Sequence, residues 1–155
     1  MARKIGAILA GMVVVGVVVF AMQALSARLY PLPPGIDPLD PADSEALLDH
    51  LSTMPAISWA LAFSSELVGA FLGALVAGWI ARPGPSTNDI SGHGALRSVR
   101  LASGTIVAFA LAASIFNWTA FAHPTWFMVG QLAGYPLVLL GAWTLLGRRR
   151  SAIAP

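Results

Sequence analysis

The chain has 155 residues, of which 57% are apolar and only 10% are Asp, Glu, Lys or Arg. A soluble domain carries about 25% charged residues, so this chain cannot cover a globule of its size with hydrated surface, and disorder is excluded by the same composition. It has no cysteine and a net charge of only +2, which excludes a disulfide scaffold, Cys-based zinc or iron–sulfur centres and thiol catalysis.

The first apolar run, Ile5 to Ala27, contains no charged residue. Arg3 and Lys4 could pass as the start of a signal peptide and Ala24-Leu25-Ser26 as its cleavage site, but the apolar core of such a peptide is only about 7–15 residues long. The run is therefore expected to be a retained membrane helix over 5–28. Its small residues Gly6 and Ala10, with Gly16 further along, offer one face for close helix contact.

Residues 29–55 are the only sizeable segment expected outside the membrane. Tyr30-Pro31-Leu32-Pro33-Pro34-Gly35 is stiff, extended and incompatible with helix. Asp40 then suits an N-cap, with Pro41 at the first helical position. Leu47, Leu48 and Leu51 share one face, and Asp43, Glu45 and Asp49 fall largely away from it. This predicts a short amphipathic helix over 41–53, on the bilayer surface or capping the bundle. Asp37, Asp40 and Asp43 lack the alternate spacing and central glycine of a calcium loop, so they are expected to be caps and turn residues.

The second apolar run, Ala56 to Ala81, is interrupted only by Glu66 and predicts a helix over 56–81. Gly69, Gly73 and Ala77 recur every four residues along it, a small-residue face. The 82–99 connection opens with Pro83-Gly84-Pro85, a linker by composition. Ser91-Gly92-His93-Gly94 is too poor in glycine to cradle a phosphate, and Arg97 and Arg100 are expected to anchor to lipid phosphates. From Leu101 to Gly147 there are 47 residues without Asp, Glu, Lys or Arg. One crossing takes roughly 20 residues, so the stretch holds two helices, 100–121 and 125–147, turning at Ala122-His123-Pro124-Thr125. The fold class is all-α: one polytopic membrane domain over 1–155, with four transmembrane helices and a short external helix.

Eight basic residues lie on one side: Arg3, Lys4, Arg82, Arg97, Arg100 and Arg148 to Arg150. The other side has Arg28 alone among five acids. The bias predicts both termini in the cytoplasm, in a bacterial inner membrane. Trp59, Trp118 and Trp126 near the outer helix ends, and Trp79 and Trp143 near the inner ends, form the expected interfacial belts. Cysteine labelling checks the orientation: Ser44→Cys should react from outside intact cells and Ser86→Cys should not.

Glu66 is the strongest functional signal, because a carboxyl at membrane depth is costly. Gln23 lies 19 residues beyond Lys4, Glu66 16 before Arg82, Asn117 17 after Arg100 and Gln131 17 before Arg148. At the helical rise each sits roughly 24–29 Å from the inner edge. Gln23, Glu66, Asn117 and Gln131 thus form one polar layer, and Tyr135, one turn deeper than Gln131, can add a hydroxyl. Two roles compete for the layer. In the first, Glu66 is protonated and hydrogen-bonded to an amide or to Tyr135, and the layer is glue between helices. In the second, Glu66 binds a proton or cation during transport. Glu66-Leu67-Val68-Gly69 also matches Gln131-Leu132-Ala133-Gly134 at an offset of 65 residues, either as an old repeat of two hairpins or as coincidence in an apolar alphabet.

His50, His93 and His123 all lie outside the helix centres, which argues against a haem held between helices. No catalytic triad, carboxylate pair or metal-ligand motif falls within the membrane. No enzymatic activity, cofactor, metal site or nucleic-acid partner is expected. The expected partners are membrane lipids and other integral membrane subunits.

The layout resembles small bacterial four-helix membrane proteins of no assigned activity. The likeness rests on Tyr30-Pro31-Leu32-Pro33-Pro34-Gly35 with Asp37 and Asp40 after the first helix, the Gly-rich second helix, and His123-Pro124-Thr125-Trp126-Phe127 before the fourth. It implies the four-helix fold and no activity. The first functional expectation is therefore a non-enzymatic subunit or accessory protein of a larger inner-membrane complex, whether respiratory, photosynthetic or transport. The second is a small oligomeric transporter or channel, coupled to protons or cations through Glu66.

Overall fold

A computed structural model describes residues 2–82, 93–121 and 123–148. Pro83-Gly84-Pro85, Ser86, Ser91, Gly92, Arg149 and Arg150 lie outside the described residues. The chain forms α1 (Ala2–Leu29), a single 3₁₀ turn (Pro41–Asp43), α2 (Ser44–Thr53), α3 (Ala56–Ala81), α4 (His93–Ala120) and α5 (Thr125–Arg148). Four helices are long and apolar enough to cross a membrane, namely α1, α3, α4 and α5. The protein is an all-helical, multi-pass membrane protein.

The membrane helices stand where their apolar runs place them. The difference is at α4, which starts at His93 rather than near residue 100. The apolar run marks the length that lipid can hold, whereas Ala95-Leu96-Arg97-Ser98-Val99 continues the same helix beyond it with good helix formers. The turn before α5 follows from Pro124, after which the helix opens at Thr125.

The segment between α1 and α3 is built by its prolines and acids. Ile36 N–H donates to the Pro33 carbonyl at 3.3 Å across a turn with Gly35 at φ +91°, the left-handed conformation that this position of a type II turn requires. Asp40 caps the 3₁₀ turn by accepting from Ala42 N–H at 2.9 Å, and Pro41 occupies the first position. Asp43 accepts from Asp37 N–H at 2.7 Å, and Asp37 accepts from Leu39 N–H at 2.9 Å. These carboxylates are taken up in local turns. Leu47 is the buried residue of α2.

At the centre, α3 packs on α1, α4 and α5; α1 and α5 stand on opposite sides of the α3–α4 pair. Ala70, Ala74 and Ala77 of α3 are fully buried, and Ile106 of α4 packs into the same core. The closest approach is between α1 and α3. A Cβ on Gly73 would lie 2.7 Å from the Gly11 carbonyl, and one on Gly11 would lie 2.8 Å from the Gly73 carbonyl. Gly69 stands beside Val15 and Val19, and Ala77 beside Gly11. Such backbone proximity is how helices associate in lipid, where dispersion contacts replace the hydrophobic drive. On α1 the face turned to α3 is Ala7, Gly11 and Val15. Gly6 and Gly16 are exposed with nothing within 4 Å of a Cβ, and Ala10 is half-buried.

Arginines tie the end of the bundle opposite the 30–55 segment. Arg3 Nε of α1 donates to the Ile80 carbonyl at 2.7 Å, and Arg82 donates to the Leu146 carbonyl of α5. Cations on the last carbonyls of a helix also complement its dipole. Arg100 lies over the Trp143 ring at 5.4 Å, and Trp143 Nε1 donates to Ser103 at 2.9 Å.

Candidate functional site: an intramembrane carboxyl facing a cleft

Glu66 follows Ala56 by ten residues, about 15 Å along α3 at the helical rise. Its side chain crosses to both α4 and α5. Gln131 Nε2 donates to Oε2 at 2.7 Å, and Ser114 Oγ donates to the same oxygen. The Tyr135 hydroxyl lies 3.3 Å from Oε2 and 2.6 Å from Ser114 Oγ. Each hydroxyl has one hydrogen. With the Ser114 hydrogen given to Glu66, Tyr135 donates to Ser114, and the three groups form a chain of O–H donors ending on the carboxyl.

Gln131 is fully buried, and its orientation is fixed from behind. Trp118 Nε1 donates to Gln131 Oε1 at 2.9 Å. Indole N–H is a donor only, so it selects the amide oxygen and turns the NH₂ toward Glu66. Buried polar groups are thereby satisfied across α3, α4 and α5, as hydrocarbon surroundings demand.

All these bonds converge on one carboxyl oxygen. Among the described residues no side-chain or backbone donor reaches Oε1. Glu66 instead lines a cleft of about 410 Å³ between α1 and α4. Val15 and Val19 of α1 and Phe109 and Ala113 of α4 form apolar walls, while Gln23 and Asn117 stand at the end nearest the 30–55 segment. A second cavity of about 210 Å³ shares Gln23 and continues past Ser26 to Tyr30 and Met54. Gln23 thus borders both spaces, whose walls are otherwise mostly apolar.

Asn117 is set by His123. His123 Nδ1 lies 2.8 Å from the Phe121 carbonyl, which can only accept, so Nδ1 carries the proton and Nε2 is the acceptor. Asn117 Nδ2 stands 3.4 Å from that Nε2. The imidazole packs edge-on to Trp59 at 5.3 Å and against Phe127 at 5.1 Å.

The structure brings Glu66, Gln131 and Tyr135 into one hydrogen-bonded cluster. Gln23 and Asn117 share the cleft but make no hydrogen bond to Glu66, and the Gln23 side chain is exposed. Glu66 and Gln131, the residues matched at an offset of 65, are direct partners. Sequence reasoning missed Ser114 and Trp118. Ser114 had a signal: it lies three residues before Asn117, on the same helical face, just as Tyr135 lies one turn from Gln131. Among the described residues no three His, Asp or Glu side chains are grouped as metal ligands. Compared with protein-family models, curated proteins and solved structures, the chain matches none.

Proposed function

We propose that this protein is a small carrier of the bacterial inner membrane, with both termini in the cytoplasm, in which Glu66 takes up a proton or cation from the external side. One observation carries the reading: one carboxyl oxygen is held by Gln131, Ser114 and Tyr135, the other accepts from no donor among the described residues, and Glu66 lines an open cleft. A carboxyl serving only as glue between helices gains most by turning both oxygens to protein donors, because in hydrocarbon an unmet polar group is costly. Here the cluster fixes the carboxyl and leaves one oxygen for an exchangeable occupant. Protein reconstituted into vesicles should carry protons or monovalent cations down an imposed gradient. Glu66→Gln should reduce that flux to the level of empty vesicles; flux unchanged in the variant would remove Glu66 from the pathway.

A second role, as subunit of a larger inner-membrane complex, has its own support. Only 17% of the apolar window of α1 is buried, against 33% in α3 and 39% in α4. Its outer face exposes Ile5, Leu9, Val13, Val17 and Phe20 beside Gly6 and Gly16. That face would meet either lipid or a partner helix. Gly6→Leu should then release a partner recovered in mild detergent without unfolding the chain. An unchanged set of co-purifying proteins would leave the face to lipid.

A further inference from the structure

We propose that the cleft at Glu66 binds a small organic monocation, an ammonium group carrying an apolar body, rather than an inorganic ion; this rests on Glu66 being an uptake site. Three observations select that class. Charge comes first: one carboxyl lines the cleft, with no second acid, lysine or arginine among its lining residues, so it neutralises a single positive charge.

Ligand number comes second. Hard divalent cations require about six or more oxygen ligands. Here Oε2 already accepts from Gln131 and Ser114, and the hydroxyl hydrogens of Ser114 and Tyr135 are committed within the cluster. Oε1 and the Tyr135 hydroxyl oxygen remain, with the amide oxygens of Gln23 and Asn117 nearer the loop end. That is too thin a shell to replace the hydration of an inorganic ion, but sufficient for an ammonium headgroup that keeps its own carbon substituents.

Shape comes third. The cleft has about 410 Å³ of space, and much of its wall is hydrocarbon from Val15, Val19, Phe109 and Ala113. That volume is within the range of small-molecule sites, about 300–1,000 Å³, and such sites pair mostly apolar walls with a few placed polar groups. A bare ion would leave this wall uncovered. A ligand with one ring or a short aliphatic body covers it while its charge rests on Oε1, and charge–carboxylate contact in a low-dielectric setting is strong. The ligand enters past Gln23 from the side of residues 30–55.

The test uses the whole protein in lipid discs, with benzyltrimethylammonium as the probe because its charge does not change with pH. Neopentylbenzene, nearly the same shape without the charge, and empty discs control for partition into lipid. Calorimetry should show saturable binding of the probe, and no binding of sodium or potassium. Glu66→Gln should weaken binding by about tenfold or more, as expected for loss of a charge-assisted contact. Gly16→Phe is the second variant: Gly16 lines the cleft and a Cβ there meets nothing within 4 Å, so the ring should fill the space without disturbing helix packing. It should abolish probe binding with the Glu66 carboxyl still in place. Saturable binding of sodium or potassium, with no probe binding, overturns the organic-cation assignment and leaves Glu66 as an uptake site. Probe binding that survives both variants, or is matched by neopentylbenzene, also overturns the assignment. If neither probe nor ion nor pH alters the Glu66 carboxyl, both the assignment and the uptake reading fall.

Discussion

Gly73→Leu is expected to separate α1 from α3. At this position even a Cβ would lie 2.6 Å from a Val15 methyl and 2.7 Å from the Gly11 carbonyl oxygen. A side chain can rotate away, but a backbone oxygen can move only if the whole of α1 shifts. Overpacking of a tight contact costs about 1–3 kcal/mol and occasionally more, and the backbone clash puts this variant at the upper end. Denaturation in mixed detergent micelles should show a clear fall in the midpoint for Gly73→Leu. Gly6→Leu on the same helix should leave the midpoint unchanged, because nothing lies within 4 Å of its Cβ. Equal effects of the two substitutions would mean that α1 does not meet α3 through Gly11 and Gly73.

Glu66 should show the largest divergence between two replacements of similar size. Glu66→Gln keeps an oxygen that can accept from Gln131 and Ser114, so the bundle should lose no more than about 1 kcal/mol, the usual net worth of a hydrogen bond. Glu66→Leu removes the acceptor from Gln131 Nε2 and from the Ser114–Tyr135 hydroxyl chain. Leaving buried donors unpaired costs about 1–3 kcal/mol, and more than one is left here. The Leu variant should therefore be markedly less stable than the Gln variant, while both lose cation-dependent flux. Stability and flux would then separate, as expected if the hydrogen bonds serve the fold and the carboxyl serves the proposed uptake. A Leu variant as stable as the wild type would show that the cluster does not hold α3, α4 and α5 together.

Much of this architecture is legible in the sequence because lipid imposes simple rules. An apolar run of some twenty residues must be helix, since its backbone groups have no other partner. That rule alone places α1, α3 and α5 within a few residues of Ala2–Leu29, Ala56–Ala81 and Thr125–Arg148. It does not place the start of α4, because Gly94 to Arg100 is helical by local propensity outside the apolar run. The polar layer is legible as a depth, since the helical rise converts residue number into height. Depth says nothing of rotation. Gln131 and Tyr135 point to Glu66, whereas Gln23, at nearly the same height, does not, and only the packing of α1 on α3 decides that.

Register within a small-residue face is the other gap. Gly6, Ala10 and Gly16 catch the eye because two are glycines, but the contact with Gly73 uses Gly11 and Val15, with Ala7 buried one turn before Gly11. Ala7 and Gly11 are themselves four residues apart and carried the same signal. One residue of offset turns a helix by about 100°, which exchanges a buried face for an exposed one. Ser114 was hidden for a different reason. Serine in a membrane helix commonly bonds to the carbonyl four residues back, and Ser114 Oγ lies 3.1 Å from the Ala110 carbonyl, the alternative acceptor for the hydrogen it gives to Glu66. Its second role appears only when Glu66 and Tyr135 are brought beside it.

Infrared spectroscopy of the protein in lipid discs, with Glu66→Gln as the subtraction, reads whether Glu66 holds an exchangeable proton or cation. A carboxyl signal, absent from the variant, should respond to pH and shift promptly on exchange into heavy water. A Glu66 signal that stays fixed across pH and fails to exchange would contradict the proposed uptake, and would assign the carboxyl to holding the helices together.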